Sequence, residues 1–221
     1  MKKILFISLL FITFIIYYLN VNHKVYYLSL GDYLSYGINN DNKVDNNYSD
    51  NIKNKYKNNL QNYVNYSSVD DYRIMDLIND IRYNKIVKYN NKEYKLQNLL
   101  IKANIITLSI GMNDLIYVKN LDYDYADQLL DDIERLFIII RKFNKDKIYY
   151  LGFYNIINNI DLINYLNKKV ELLCEENNIK YVDISNLNKY IKYNNYPNND
   201  GYFYITERIN FYGNRLKKFN N

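Results

Sequence analysis

Two clusters of glycine and polar residues each follow an apolar, β-rich run: Ser29-Leu30-Gly31-Asp32-Tyr33-Leu34-Ser35-Tyr36-Gly37 and Ser109-Ile110-Gly111-Met112-Asn113-Asp114-Leu115. Hydroxyls, amides and carboxyls gathered at strand ends could supply a nucleophile, hydrogen-bond donors and acids or bases. A hydroxyl nucleophile needs a base to activate it. Each cluster alone is equally a glycine turn followed by an Asp or Asn helix cap. The base is scarce, because the chain has one histidine, His23. It precedes the first of these β-rich runs, and strand residues at about 3.3 Å each put it roughly 20 Å from that run's far end. One cysteine, Cys174, excludes an internal disulfide and a Cys-cluster metal site. Asp122, Asp124, Asp131, Asp132 and Glu134 fit an acidic helix start and a solvated face better than a cation site. No metal or cofactor is expected.

The elements that must position these clusters alternate along the chain. Val25-Tyr26-Tyr27-Leu28-Ser29-Leu30 and Ile105-Ile106-Thr107-Leu108-Ser109-Ile110 read as buried strands stopped by Gly31 and Gly111. Further strands are expected over residues 63–67, 147–153 and 179–184. A hairpin is expected to turn at Asn90-Asn91. Helical spacing marks residues 48–60, 73–81 and 122–145, and the set Leu162, Leu166, Val170 and Leu173. Leu129, Ile133, Leu136, Phe137 and Ile140 share one face of the helix over 122–145, with Arg141 and Lys142 near its end. Strands alternating with helices predict a parallel sheet covered on both faces, with sites at the carboxyl ends of its strands.

In this order and on these strands, the two clusters resemble the Gly-Asp-Ser-Leu and Gly-x-Asn-Asp blocks of the SGNH/GDSL hydrolase family. Asp71-Tyr72-Arg73-Ile74-Met75-Asp76-Leu77 resembles that family's second block. Glu207-Arg208-Ile209-Asn210-Phe211-Tyr212-Gly213 resembles its closing segment, an Asp-x-x-His pair ahead of an Asn-x-x-Gly turn and a C-terminal helix. The resemblance spans residues 25–219. It implies a three-layer α/β/α fold with a flavodoxin-like parallel sheet of five strands, and hydrolysis of esters, lipids or acetylated sugars through a covalent Ser intermediate. Carried over residue by residue, it leaves the machinery mostly missing. The nucleophile position holds Tyr33, the base position Arg208 and its carboxylate position Ile205, while Asp71 stands at the oxyanion glycine. Asn113 alone remains as a side-chain donor. Arg stays protonated and cannot act as the base. Ser35 is expected to cap the following helix, and an Asp71–Arg208 ion pair is expected across the old site, with Tyr33 beside it.

The chain has 221 residues, 48% hydrophobic and 24% charged, which suits one globular α/β domain and excludes wholesale disorder. Tyr occurs 28 times and Asn 39 times, against two Ala, one Pro and no Trp. This is the mark of AT-rich codons and carries no functional message. The net charge of +5 comes from scattered Lys with no Arg-rich face, so no nucleic acid partner is expected. Lys2 and Lys3 precede an apolar run over residues 4–19, without small residues for cleavage after it. Residues 1–23 therefore read as an uncleaved signal anchor, with a cleaved signal peptide as the alternative. Residues 24–221 form the hydrolase-like domain, expected outside the cytoplasm at a membrane. The expected role is a catalytically impaired binding or scaffold module, with an acylated lipid or glycan at the cell surface as its partner. An active esterase with a rewired site and a purely structural surface protein stand as alternatives.

Overall fold

The computed structural model describes residues 8, 10–14, 24–39, 41, 43–68, 71–118, 121–191 and 196–215. Five parallel strands form the main sheet: β1 (Val25–Gly31), β2 (Leu60–Ser67), β5 (Ile105–Ser109), β6 (Lys147–Leu151) and β7 (Lys180–Val182). Their order is β2-β1-β5-β6-β7. The registers pair Tyr27 with Tyr63 on one side and with Ile105 on the other, and Gly31 with Ser67 and Ser109. All five residues of β5 are buried, as a strand covered on both faces requires. This is the predicted three-layer α/β/α arrangement with a five-stranded sheet.

Helices α3 (Ile74–Arg82), α4 (Leu96–Lys102), α6 (Tyr123–Phe143) and α7 (Ile160–Glu176) pack in succession. Helices α2 (Tyr48–Lys55) and α8 (Asn199–Arg215) pack together. The predicted face of α6 is the buried one, with Ile133, Leu136, Phe137 and Ile140 fully inside. Asp122 caps its start by accepting from the Tyr125 amide at 2.9 Å. The helix expected over 48–60 ends at Lys55, because Leu60 is already paired with Val25 as the first residue of β2. A separate antiparallel hairpin joins β3 (Ile86–Tyr89) to β4 (Lys92–Lys95). Its turn residues Asn90 and Asn91 have φ of 49° and 60°, the left-handed pair that a tight hairpin needs.

Two short helices stand directly after the strands that carry the glycine clusters: α1 (Tyr33–Tyr36) after β1, and α5 (Met112–Ile116) after β5. Strand order reverses direction between β1 and β5, so both clusters lie at the switch point where open α/β sheets bind ligands. The apolar run over residues 4–19 lies largely outside the described residues, and His23 lies wholly outside them. Among the described residues no helix is long and apolar enough to cross a membrane.

Candidate functional site

The site is built where β1 and β5 end side by side. The Asp32 amide donates to the Ser109 carbonyl at 2.7 Å, which pins the two strand ends together. A Cβ on Gly31 would sit 2.0 Å from that carbonyl oxygen, and Gly31 has φ +155°. Only glycine fits this close approach. Asp32 then caps α1 by accepting from the Leu34 amide at 3.2 Å. Ser109 donates its hydroxyl to the same carboxyl oxygen at 3.0 Å. The other oxygen, Oδ2, is buried and has no hydrogen-bond partner among the described residues. Burial raises the Asp32 carboxyl to about 7, against the pull of the Leu34 and Ser109 hydrogen bonds.

Tyr33 follows and is 2% exposed. Its hydroxyl meets that of Tyr154 at 2.6 Å, and its ring lies edge-on to Tyr196 with centroids 5.2 Å apart. Burial, then the neighbouring Tyr154, push the Tyr33 phenol well above its ordinary value, and burial does the same to Tyr154. Both phenols are therefore protonated at neutral pH. Behind them runs a buried chain of hydroxyls. Ser35 meets Tyr48 at 2.6 Å, and Ser29 links on to Thr107, which meets Tyr27 at 2.9 Å. Ser35 caps no helix: Asp32 caps α1 and Asn47 caps α2. Its hydroxyl faces the Ser29 and Tyr48 hydroxyls and the Leu30 carbonyl, so among the described residues no base is hydrogen-bonded to it.

The second cluster clamps the chain entering α3. Asn113, buried, donates its side-chain amide to the Tyr72 carbonyl at 3.0 Å. The Asp114 carboxylate accepts from the Ile74 amide at 3.3 Å. Burial raises Asp114 to about 6, partly offset by the Ile74 amide and Arg73.

The remaining predicted positions have other neighbours. Asp71 has φ 42° and a side chain 58% exposed, ion-paired to Arg73 at 2.7 Å. Arg208 donates from Nε to the Asp183 carbonyl at 2.9 Å, approaches the Asp183 carboxylate at 3.4 Å and meets the Tyr212 hydroxyl at 3.0 Å. The expected Asp71–Arg208 bridge is thus replaced by two others, because each residue has an opposite partner nearer to hand. Ile205 is fully buried in the core. Residues 207–213 lie within α8 rather than on a loop ahead of it.

The first turn of this last helix follows Asn198, whose Oδ1 caps it by accepting from the Gly201 amide at 2.9 Å. Tyr196, two residues before Asn198, and Tyr154, just past β6, are the neighbours of Tyr33 that sequence reasoning missed. Pro197, the single proline, was a signal for the first of them, since proline marks helix starts. Among the described residues no group of His, Cys, Asp and Glu is placed to hold a metal ion.

No protein-family model matches the chain, and no curated protein matches it. Solved structures do. A variant of an acetyl-xylooligosaccharide esterase from Geobacillus stearothermophilus superimposes with a TM-score of 0.61 at 14% identity, covering 84% of this chain and 92% of that one. A lipolytic protein of the G-D-S-L family from Veillonella parvula gives a TM-score of 0.61 at 14% identity, over 84% and 96%. Phospholipase A1 from Streptomyces albidoflavus gives 0.57 at 12% identity, over 84% and 98%. With its sheet order and its two glycine clusters at the switch point, the chain has the α/β/α fold of the SGNH/GDSL esterases and lipases.

Proposed function

We propose that this chain is a catalytically silent SGNH-fold domain that acts as a binding or scaffold module. It is held at the outer face of a membrane by residues 1–23, with an acylated lipid or glycan at the cell surface as its partner. The observation that carries the reading is the Tyr33 environment. The nucleophile position holds a buried phenol, bonded to a second phenol and covered by the ring of Tyr196. A phenol kept protonated by burial, with another phenol as its hydroxyl's partner among the described residues, is a packing group and not a nucleophile.

The family's closing pattern is better carried by Asn198–Gly201, at the start of the C-terminal helix, than by Asn210–Gly213 in its interior. On the same spacing the base position becomes Tyr196 and the carboxylate position Tyr193, which lies outside the described residues. Either register leaves the site without a base.

A serine-hydrolase probe tests this. A fluorophosphonate reagent is expected to leave the native chain unlabelled under conditions that saturate an active GDSL esterase. Stoichiometric labelling mapped to Tyr33 or Ser35 would overturn the reading. A second reading, a rewired hydrolase, draws on the buried carboxyl of Asp32, whose free oxygen and raised pKa are the properties of a general base. It requires labelling or turnover that Asp32→Asn abolishes.

A further inference from the structure

A cleft of about 420 Å³ lies on the side of the domain away from Tyr33, where the first half of β1 meets α4 and the β3–β4 hairpin. This volume is in the range of small-molecule sites. Its floor is apolar and buried, formed by Tyr27, Leu28, Leu99 and Ala103. Half-buried Tyr26 and Tyr94 make its walls. Lys95 and Lys102 stand exposed at its rim, and among the described residues neither has a carboxylate partner within ion-pair distance. The one acid of the rim, Glu93, is already committed to Lys88 at 3.2 Å.

We infer that this cleft binds a small amphiphilic anion, its apolar body on the Leu28–Leu99–Ala103 floor and its carboxylate or phosphate between Lys95 and Lys102. The floor accounts for the apolar body, because water there meets few polar groups and gains by leaving. The two uncompensated ammonium groups set the sign of the head, and a tyrosine wall adds flat apolar area with a polar edge. A nucleic acid fits less well. The basic groups form one short rim rather than a track along a backbone. The site is independent of the one at Tyr33 and of whether the chain hydrolyses esters.

The test is a ligand-observed NMR titration of the full chain with octyl phosphate, octanoate and neutral octanol. Saturable binding of at least one anion is expected, weakened at least tenfold in the Lys95→Glu/Lys102→Glu variant, with octanol unaffected by that reversal. Asn98→Trp, a change at an exposed rim position, is expected to block the cleft and abolish binding without touching the core. A preference for octyl phosphate points to a phospholipid headgroup as the source, and one for octanoate to a free fatty acid. The inference is overturned if no anion binds saturably, as when the chain's own N-terminal run fills the cleft. It is overturned equally if charge reversal leaves anion affinity unchanged, or if Asn98→Trp binds as the native chain does.

Discussion

Replacing Asp32 by Asn should change the pH dependence of stability in a calculable way. The carboxyl titrates at 3.8 when free and at about 7 in the fold, where burial favours the neutral form. A carboxyl raised on folding stabilises the fold fully below its unfolded pKa, and that contribution is lost as pH rises through the folded pKa. The whole loss, between about pH 4 and pH 7, is on the order of 4 kcal/mol at 1.36 kcal/mol per unit. Between pH 5 and pH 8 the share is smaller, about 2 to 3 kcal/mol, since part is already lost at pH 5. Asp114, raised to about 6, adds a slope of the same sign that is mostly spent below pH 7. Asparagine keeps the acceptor for Leu34 and Ser109 and cannot ionise, so the difference between variant and native chain isolates Asp32. Urea unfolding followed by tyrosine fluorescence at pH 5, 6, 7 and 8 gives that difference. It should move in favour of Asn by about 2 to 3 kcal/mol over the range. A difference that stays constant with pH would refute the claim that burial raises the Asp32 carboxyl.

Other substitutions probe the packing around it. Tyr33→Ser should fold but lose about 3 to 5 kcal/mol, as truncation of a buried ring does, measured by the same urea titration. Ile205→Asp should fail to yield folded protein, because it buries a carboxylate inside α8 with no partner provided; circular dichroism of the purified chain decides. Gly31→Ala should be the most damaging small change, since its methyl has only 2.0 Å to the Ser109 carbonyl, and the soluble folded yield reports it. Cys174 is buried and its thiol is pushed far up by desolvation, so iodoacetamide at pH 8 should alkylate it only after urea is added.

Much of the fold was legible because its signals are local and repeated. The runs ending at Gly31 and Gly111 are mostly apolar and almost wholly buried, as strands covered on both faces must be, and the face of α6 follows helical spacing. The hairpin turned where Asn-Asn allowed left-handed backbone. Element ends were less legible, as at Lys55, where pairing with Val25 decides and no local residue announces it. Of the site, the strand-end clusters were found where the sheet needs them. The C-terminal part was not settled by sequence, because Asn-x-x-Gly occurs twice, at 198–201 and 210–213, and only the capping contact of Asn198 distinguishes a turn from a helix interior. The partners of Arg208 and Asp71 were illegible for a related reason. Opposite charges pair with whatever the fold brings nearest, here Asp183 and Arg73, and spacing along the chain does not record that.

Ester turnover tests the central claim most directly. The full chain should hydrolyse p-nitrophenyl acetate and longer p-nitrophenyl esters no faster than its Tyr33→Phe variant, at neutral pH and again at pH 9. The same variant removes the hydroxyl and keeps the ring against Tyr196. Turnover well above background that disappears in Tyr33→Phe would contradict the account and make Tyr33 a nucleophile.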